Sequence, residues 1–126
     1  MRDFVIAIVL AVVVVSGSML YSSHIDKVSR EMAETNQKIE QSLREDDFEE
    51  AKKGVEQLSA YIDKKKFTLA ATINHEMIDK IEIYLSELNQ YIEGENKVDA
   101  LARTDVLDVL LEHVPQNYKL KIENIL

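Results

Sequence analysis

With 126 residues, one Pro and three Gly, the chain has room for one domain and few turns, so long helices with short connections are the natural outcome. The formal net charge of −8 at pH 7 argues against partners with a phosphate backbone or anionic headgroups, because binders of nucleic acid gather Lys and Arg into a positive surface. The absence of Cys removes disulfides, thiolate catalysis and Cys-based zinc sites together.

After a short tail, residues 1–3, the run from Phe4 to Tyr21 (FVIAIVLAVVVVSGSMLY) carries no charge and is dominated by Val, Ile and Leu. At about 1.5 Å rise per residue it approaches the ~30 Å hydrocarbon thickness of a bilayer, so residues 4–21 are read as a transmembrane helix in contact with membrane lipid. The competing reading is a cleavable export signal: Arg2 as its basic start, Phe4 to Val15 as its apolar core, and Ser16-Gly17-Ser18 as the small-residue cleavage pattern. Cleavage would release a secreted domain. Arg2 is offset by Asp3, and Lys27 and Arg30 lie among acids, so the positive-inside count is nearly balanced. A short tail with the whole domain behind it fits a signal-anchor, which places residues 22–126 outside the cytoplasm as a single-pass ectodomain.

Beyond the span, Ile25, Val28, Met32, Ile39 and Leu43 recur at helical spacing and predict a helix to about Arg44. Glu45-Asp46-Asp47 then supplies a stop and a new cap, with Glu50 in capping-box position after Asp47. The second helix begins near Phe48 and turns Phe48, Ala51, Val55, Leu58, Ile62 and Leu69 inward, with Lys64-Lys65-Lys66 as a hydrated stretch and Gly54 a mild helix penalty. Asn74 caps a third helix, unless the second runs on through it, with Ile78, Ile81, Leu85, Leu88 and Ile92 inward and Gly94 as its stop. Asn96 caps a fourth, with Val98, Leu101, Leu107, Leu111 and Val114 inward and Pro115 at its end. For the tail from Gln116 to Leu126, a docked turn or short helix is expected.

Each helix buries one stripe only, and short connections force neighbours antiparallel. The fold class is therefore all-α: a transmembrane helix followed by an up-down bundle of about four helices, or by two stacked hairpins. Asp47-Phe48-Glu49-Glu50-Ala51 and Asn96-Lys97-Val98-Asp99-Ala100 echo one another, and Leu58 and Leu107 follow at equal distance. Two such units fall short of a repeat array, and the echo is read as chance similarity between capped helices.

Taken with the N-terminal span, the Asp47-Phe48-Glu49-Glu50-Ala51 helix start, His75 before an acid-rich helix, Leu111-Glu112-His113-Val114-Pro115 and the terminal Asn124-Ile125-Leu126, the chain resembles a small uncharacterised bacterial family, a domain of unknown function. Members of that family tend to show Trp in the second helix, where this chain has Tyr61. The resemblance implies a membrane-anchored helical domain and brings no activity with it.

The residues with the most chemistry are His75, Asp79 and His113. His75 and Asp79 lie one turn apart, a spacing that can chelate a divalent metal, but Asp stands where the metalloprotease HExxH pattern needs its second His. Antiparallel packing of the third and fourth helices would bring His113 and Glu112 towards His75, Asp79 and Glu82. Helix-end histidines also serve as simple caps, and His24 at the membrane boundary is read as chemically silent. No phosphate loop, nucleophile elbow or triad is present, and the paired acids are explained by capping, so the chain is not read as an enzyme and no cofactor is expected. Two functions remain: a membrane-tethered binding or scaffolding module, and a sensory ectodomain taking a small ligand or metal near His75 and His113. Tyr84 and Tyr91 share a face away from the main stripe and mark a candidate seam for a protein partner or self-association.

Overall fold

The computed structural model describes residues 1–115, apart from the side chain of Thr72; the tail from Gln116 lies outside the described residues. Four α-helices follow one another: α1 (Arg2–Arg44), α2 (Phe48–Thr72), α3 (His75–Glu93) and α4 (Lys97–Glu112). They form an antiparallel ring in which α1 packs on α2 and α4, and α3 on α2 and α4.

α1 is one uninterrupted helix of 43 residues, about 65 Å long, so the expected boundary between span and domain at residue 22 is not a break in the backbone. It is a change in burial. Residues 2–20 are all exposed, whereas Ile25, Val28, Ser29, Met32, Asn36, Ile39, Ser42 and Leu43 are buried in the bundle. No Pro interrupts this stretch, and Gly17 has nothing near it that an added Cβ would meet, so nothing ends the helix before Glu45.

The α1–α2 and α3–α4 turns have the same construction. After the C-caps Glu45 and Gly94 come Asp46 (φ 59°) and Glu95 (φ 53°), both left-handed. Asp47 N–H then donates to the Ser42 carbonyl at 2.9 Å, and Asn96 N–H donates to Tyr91 at 2.8 Å, closing a Schellman turn in each case. The same residues start the next helices: Asp47 Oδ1 accepts from Glu50 N–H at 3.1 Å, and Asn96 Oδ1 accepts from Asp99 N–H at 3.3 Å. Two expectations change here. Gly94 is the cap as expected, but it keeps an ordinary φ of −82°, and the left-handed step falls to Glu95. Asp47 N–H is already taken by Ser42, so the turn replaces one half of the capping box expected with Glu50.

α2 stops at Thr72 because Ile73 turns extended and the Asn74 side chain accepts from Met77 N–H at 2.9 Å, so the helix does not run through Asn74. The expected inner faces of α1 and α3 are buried throughout. On α2 only Phe48 departs, being half-buried. On α4 the stripe is Ala100, Thr104, Leu107 and Leu111, and Val98, expected inward, is 78% exposed. Val98 lies two residues from Ala100, about 200° round the helix, so the two cannot face the core together.

The echo between helix starts extends through both hairpins. Met32, Ile39, Leu43, Ala51 and Leu58 are buried in the first hairpin, and Ile81, Leu88, Ile92, Ala100 and Leu107 are buried at the matching positions of the second. Gly54, the counterpart of Arg103, is buried, and a Cβ there would stand 2.6 Å from Ile39 Cγ1. Its small size lets α1 and α2 approach, which is a stronger constraint than the helix penalty expected from sequence.

Candidate functional site

The α3 N-terminus does lie beside the end of α4, where Asn74, Met77, Lys80 and Leu110 border a shallow cavity of about 210 Å³. His75, Asp79 and His113 do not line it, and among the described residues they are not part of a group of three ligand atoms within 4.8 Å of one another. His75, Asp79 and His113 are all exposed, and His113 Nδ1 sits 2.6 Å from the Val109 carbonyl of its own helix. Leu110 is the α4 residue that borders this cavity, and His113 Nδ1 caps its own helix.

Among the described residues, the acidic group whose oxygens lie within 4.8 Å of one another is Glu40, Asp105 and Asp108, at the seam of α1 and α4. Glu40 is paired with Arg44 at 2.8 Å. Asp108 accepts from Asn36 Nδ2 at 2.7 Å, and the same nitrogen donates to the Thr104 carbonyl at 2.9 Å. Burial holds the Asp108 carboxyl above the usual carboxylate range; the Asn36 bond opposes this, while Glu40, Asp105 and Glu112 reinforce it. Asn36 Oδ1 is buried with no hydrogen-bond partner among the described residues, a cost of about 1–3 kcal/mol where it stays unpaired. Nearer the start of α1's buried half, the Ser29 hydroxyl donates to the Leu111 carbonyl at 2.6 Å. The α1–α4 seam is therefore fixed by directional bonds. Sequence reading missed it because Ser29 and Asn36 interrupt the apolar stripe and read as surface.

Tyr61, Tyr84 and Tyr91 are used within the fold. Tyr61 on α2 donates its hydroxyl to Glu31 on α1, which lowers the Glu31 carboxyl below its ordinary range. Burial, and then the negative Glu31, push the Tyr61 hydroxyl upward. Arg103 on α4 pairs with Glu87 and lies over the rings of Tyr84 at 5.5 Å and Tyr91 at 5.7 Å. These contacts account for Tyr84 and Tyr91 inside one chain.

Between α2 and α3 the bundle is less tightly closed. A groove of about 610 Å³ has Val55, Ile62 and Leu85 on its floor, with Lys66–Glu82 (3.0 Å) and Lys52–Glu93 (3.6 Å) as ion pairs across it. Its lining holds no arranged nucleophile or base.

Fold and surface together define a class: a four-helix bundle whose first helix extends well past it as an exposed apolar rod, apolar and long enough to cross a membrane. The chain belongs to the family described as Domain of unknown function (DUF4363), whose model matches residues 19–125. The match takes in the bundle and runs to within one residue of the chain's end, and it leaves out most of the apolar rod. No curated protein and no solved structure matches the chain.

Proposed function

We propose that this protein is a membrane-tethered helical module that binds or scaffolds a protein partner, with its bundle outside the cytoplasm. The observation that carries this reading is the continuity of α1. Its first half exposes Val, Ile and Leu with nothing among the described residues to cover them, and its second half is a wall of the bundle. An unbroken helix of this kind fixes the bundle at a set distance from the bilayer instead of leaving it on a flexible leash. The polar outer faces favour binding, and among the described residues no catalytic cluster is arranged. A ligand sensor built on His75 and His113 has less support, because both side chains are exposed, His113 lies on its own helix's Val109 carbonyl, and neither belongs to a clustered ligand group among the described residues.

Intact mass of the mature protein separates retention from cleavage: a start at Met1 is expected, whereas a start near Met19 means a released domain. A C-terminal phosphatase fusion should be active, and an inactive one beside a bright fluorescent-protein fusion would reverse the orientation. In-cell crosslinking of the full chain should give the same partner adduct in the wild type and in His75→Ala/His113→Ala. Loss of that adduct with the fold intact would favour the sensor.

A further inference from the structure

Phe67 is 89% exposed on α2, the most exposed aromatic side chain among the described residues, and it follows directly on Lys64, Lys65 and Lys66. Two contacts fix its height along α1. Tyr61 meets Glu31, and Gly54 meets Ile39, so the antiparallel register sets Phe67 opposite Ile25, about 6 Å beyond the level of Tyr21. The exposed apolar rod of α1 ends at Tyr21. The headgroup layer on each side of a bilayer is about 5–7 Å deep. A helix tilt of ~20°, ordinary for membrane spans, would lower the outer face of α2 by a further ~5 Å.

The charges near Phe67 are arranged to suit such a depth. Lys66 turns towards α3 and pairs with Glu82, and Lys65 lies over the Tyr61 ring at 6.0 Å. Lys64 is exposed and stands one turn from Phe67 on the outer face, where its stem can lie along apolar surface while its ammonium reaches lipid phosphate. The negative charge that sets the overall balance is concentrated at the opposite end, in the two turns that hold Asp46, Asp47, Glu95 and the N-termini of α2 and α4. Net charge alone therefore does not decide how the near end meets a bilayer.

We propose that Phe67 and Lys64 form an interfacial foot by which α2 rests on the headgroup layer of the membrane that α1 crosses. The inference rests on the membrane reading of α1. The foot gives the bundle a second point of attachment and so sets its tilt and rotation, as aromatic and basic residues do at membrane boundaries.

The chain has no Trp, so single substitutions give clean depth probes. Full-length Phe67→Trp, Val98→Trp and Leu10→Trp are reconstituted in vesicles of zwitterionic phospholipid with a minority of anionic phospholipid, with and without lipids brominated near the headgroup. Val98 is exposed on the far end of the bundle, and Leu10 lies within the rod. The foot predicts that Phe67→Trp emission is blue-shifted and quenched several-fold more than Val98→Trp. Adding Lys64→Glu should cut the docked population about fivefold or more, with unchanged helicity. Equal emission from Phe67→Trp and Val98→Trp, beside a quenched Leu10→Trp, would overturn the foot and leave the membrane reading standing. An unquenched Leu10→Trp would remove both.

Discussion

The α1–α2 and α3–α4 hairpins share a turn, a cap and a buried stripe, yet they differ where they meet. At matching positions the first hairpin places Ser29, Asn36 and Gly54 where the second has Ile78, Leu85 and Arg103. Ser29 and Asn36 bond the α4 backbone, and Gly54 admits Ile39. The second hairpin instead fills its space with aliphatic side chains and clamps its outer face with Arg103 over two tyrosines. The difference teaches that a common hairpin plan supplies the hydrophobic stabilisation, while a few departures from it set how the hairpins join. Buried polar contacts of this kind contribute less to stability than to register, because their bonds form only in one alignment.

The sharpest way to break the comparison is to cut the shared stripe. Leu58→Ala and Leu107→Ala each remove a fully buried side chain, and each should cost about 2–5 kcal/mol in urea unfolding of the detergent-solubilised chain. If one costs several times the other, the hairpins are not energetically equivalent. Next comes the departure at Gly54. Gly54→Ala should lose about 1–3 kcal/mol despite a better helix propensity, because the new methyl collides with the β-branched, fully buried Ile39. Adding Ile39→Ala should recover part of that cost in a double-mutant cycle.

The two turns offer a smaller, symmetrical test. Asp46→Gly and Glu95→Gly each remove a left-handed non-Gly residue, and each should stabilise by about 0.5–1 kcal/mol, read as matching rises in thermal midpoint. Asp46→Gly also loses the 3.0 Å ion pair with Lys97, so it should gain slightly less. The smallest effect concerns the α1–α4 seam. Because the folded Asp108 carboxyl sits above its ordinary range, the folded chain holds that proton more tightly than the unfolded chain does. This group therefore favours folding at low pH, and that contribution is lost as pH rises through its folded value. Asp108→Asn should be more stable than wild type at neutral pH by at most about 1 kcal/mol, and the advantage should vanish at about pH 3. An advantage that grew on acidification would contradict the assignment.

Much of this architecture was legible beforehand because its signals are local. Asp47, Asn74 and Asn96 cap helices through their own side chains, and the apolar spacing of α1 and α3 marks their buried faces without knowledge of any neighbour. The seams were not legible. Asn36 and Ser29 are polar residues in an apolar stripe, and only the position of the α4 carbonyls gives them partners. Val98 was misplaced because α4 is short and its Leu and Val residues permit more than one stripe. His75 and His113 are both exposed, and the acidic group that does come together among the described residues is Glu40, Asp105 and Asp108, which no local spacing announces.

The rod of α1 marks the same division. Sequence by itself determined that the stretch from Phe4 to Tyr21 is apolar and long enough to cross a membrane, and that capped amphipathic helices follow, since both depend on composition and near-neighbour periodicity. Only the tertiary structure decided that rod and bundle share one helix, that Asn36 and Gly54 set the seams, and that Phe67 stands within about 6 Å of the end of the rod. These depend on the register between helices distant in sequence, which is set by side chains meeting across space and not by the spacing of residues along the chain.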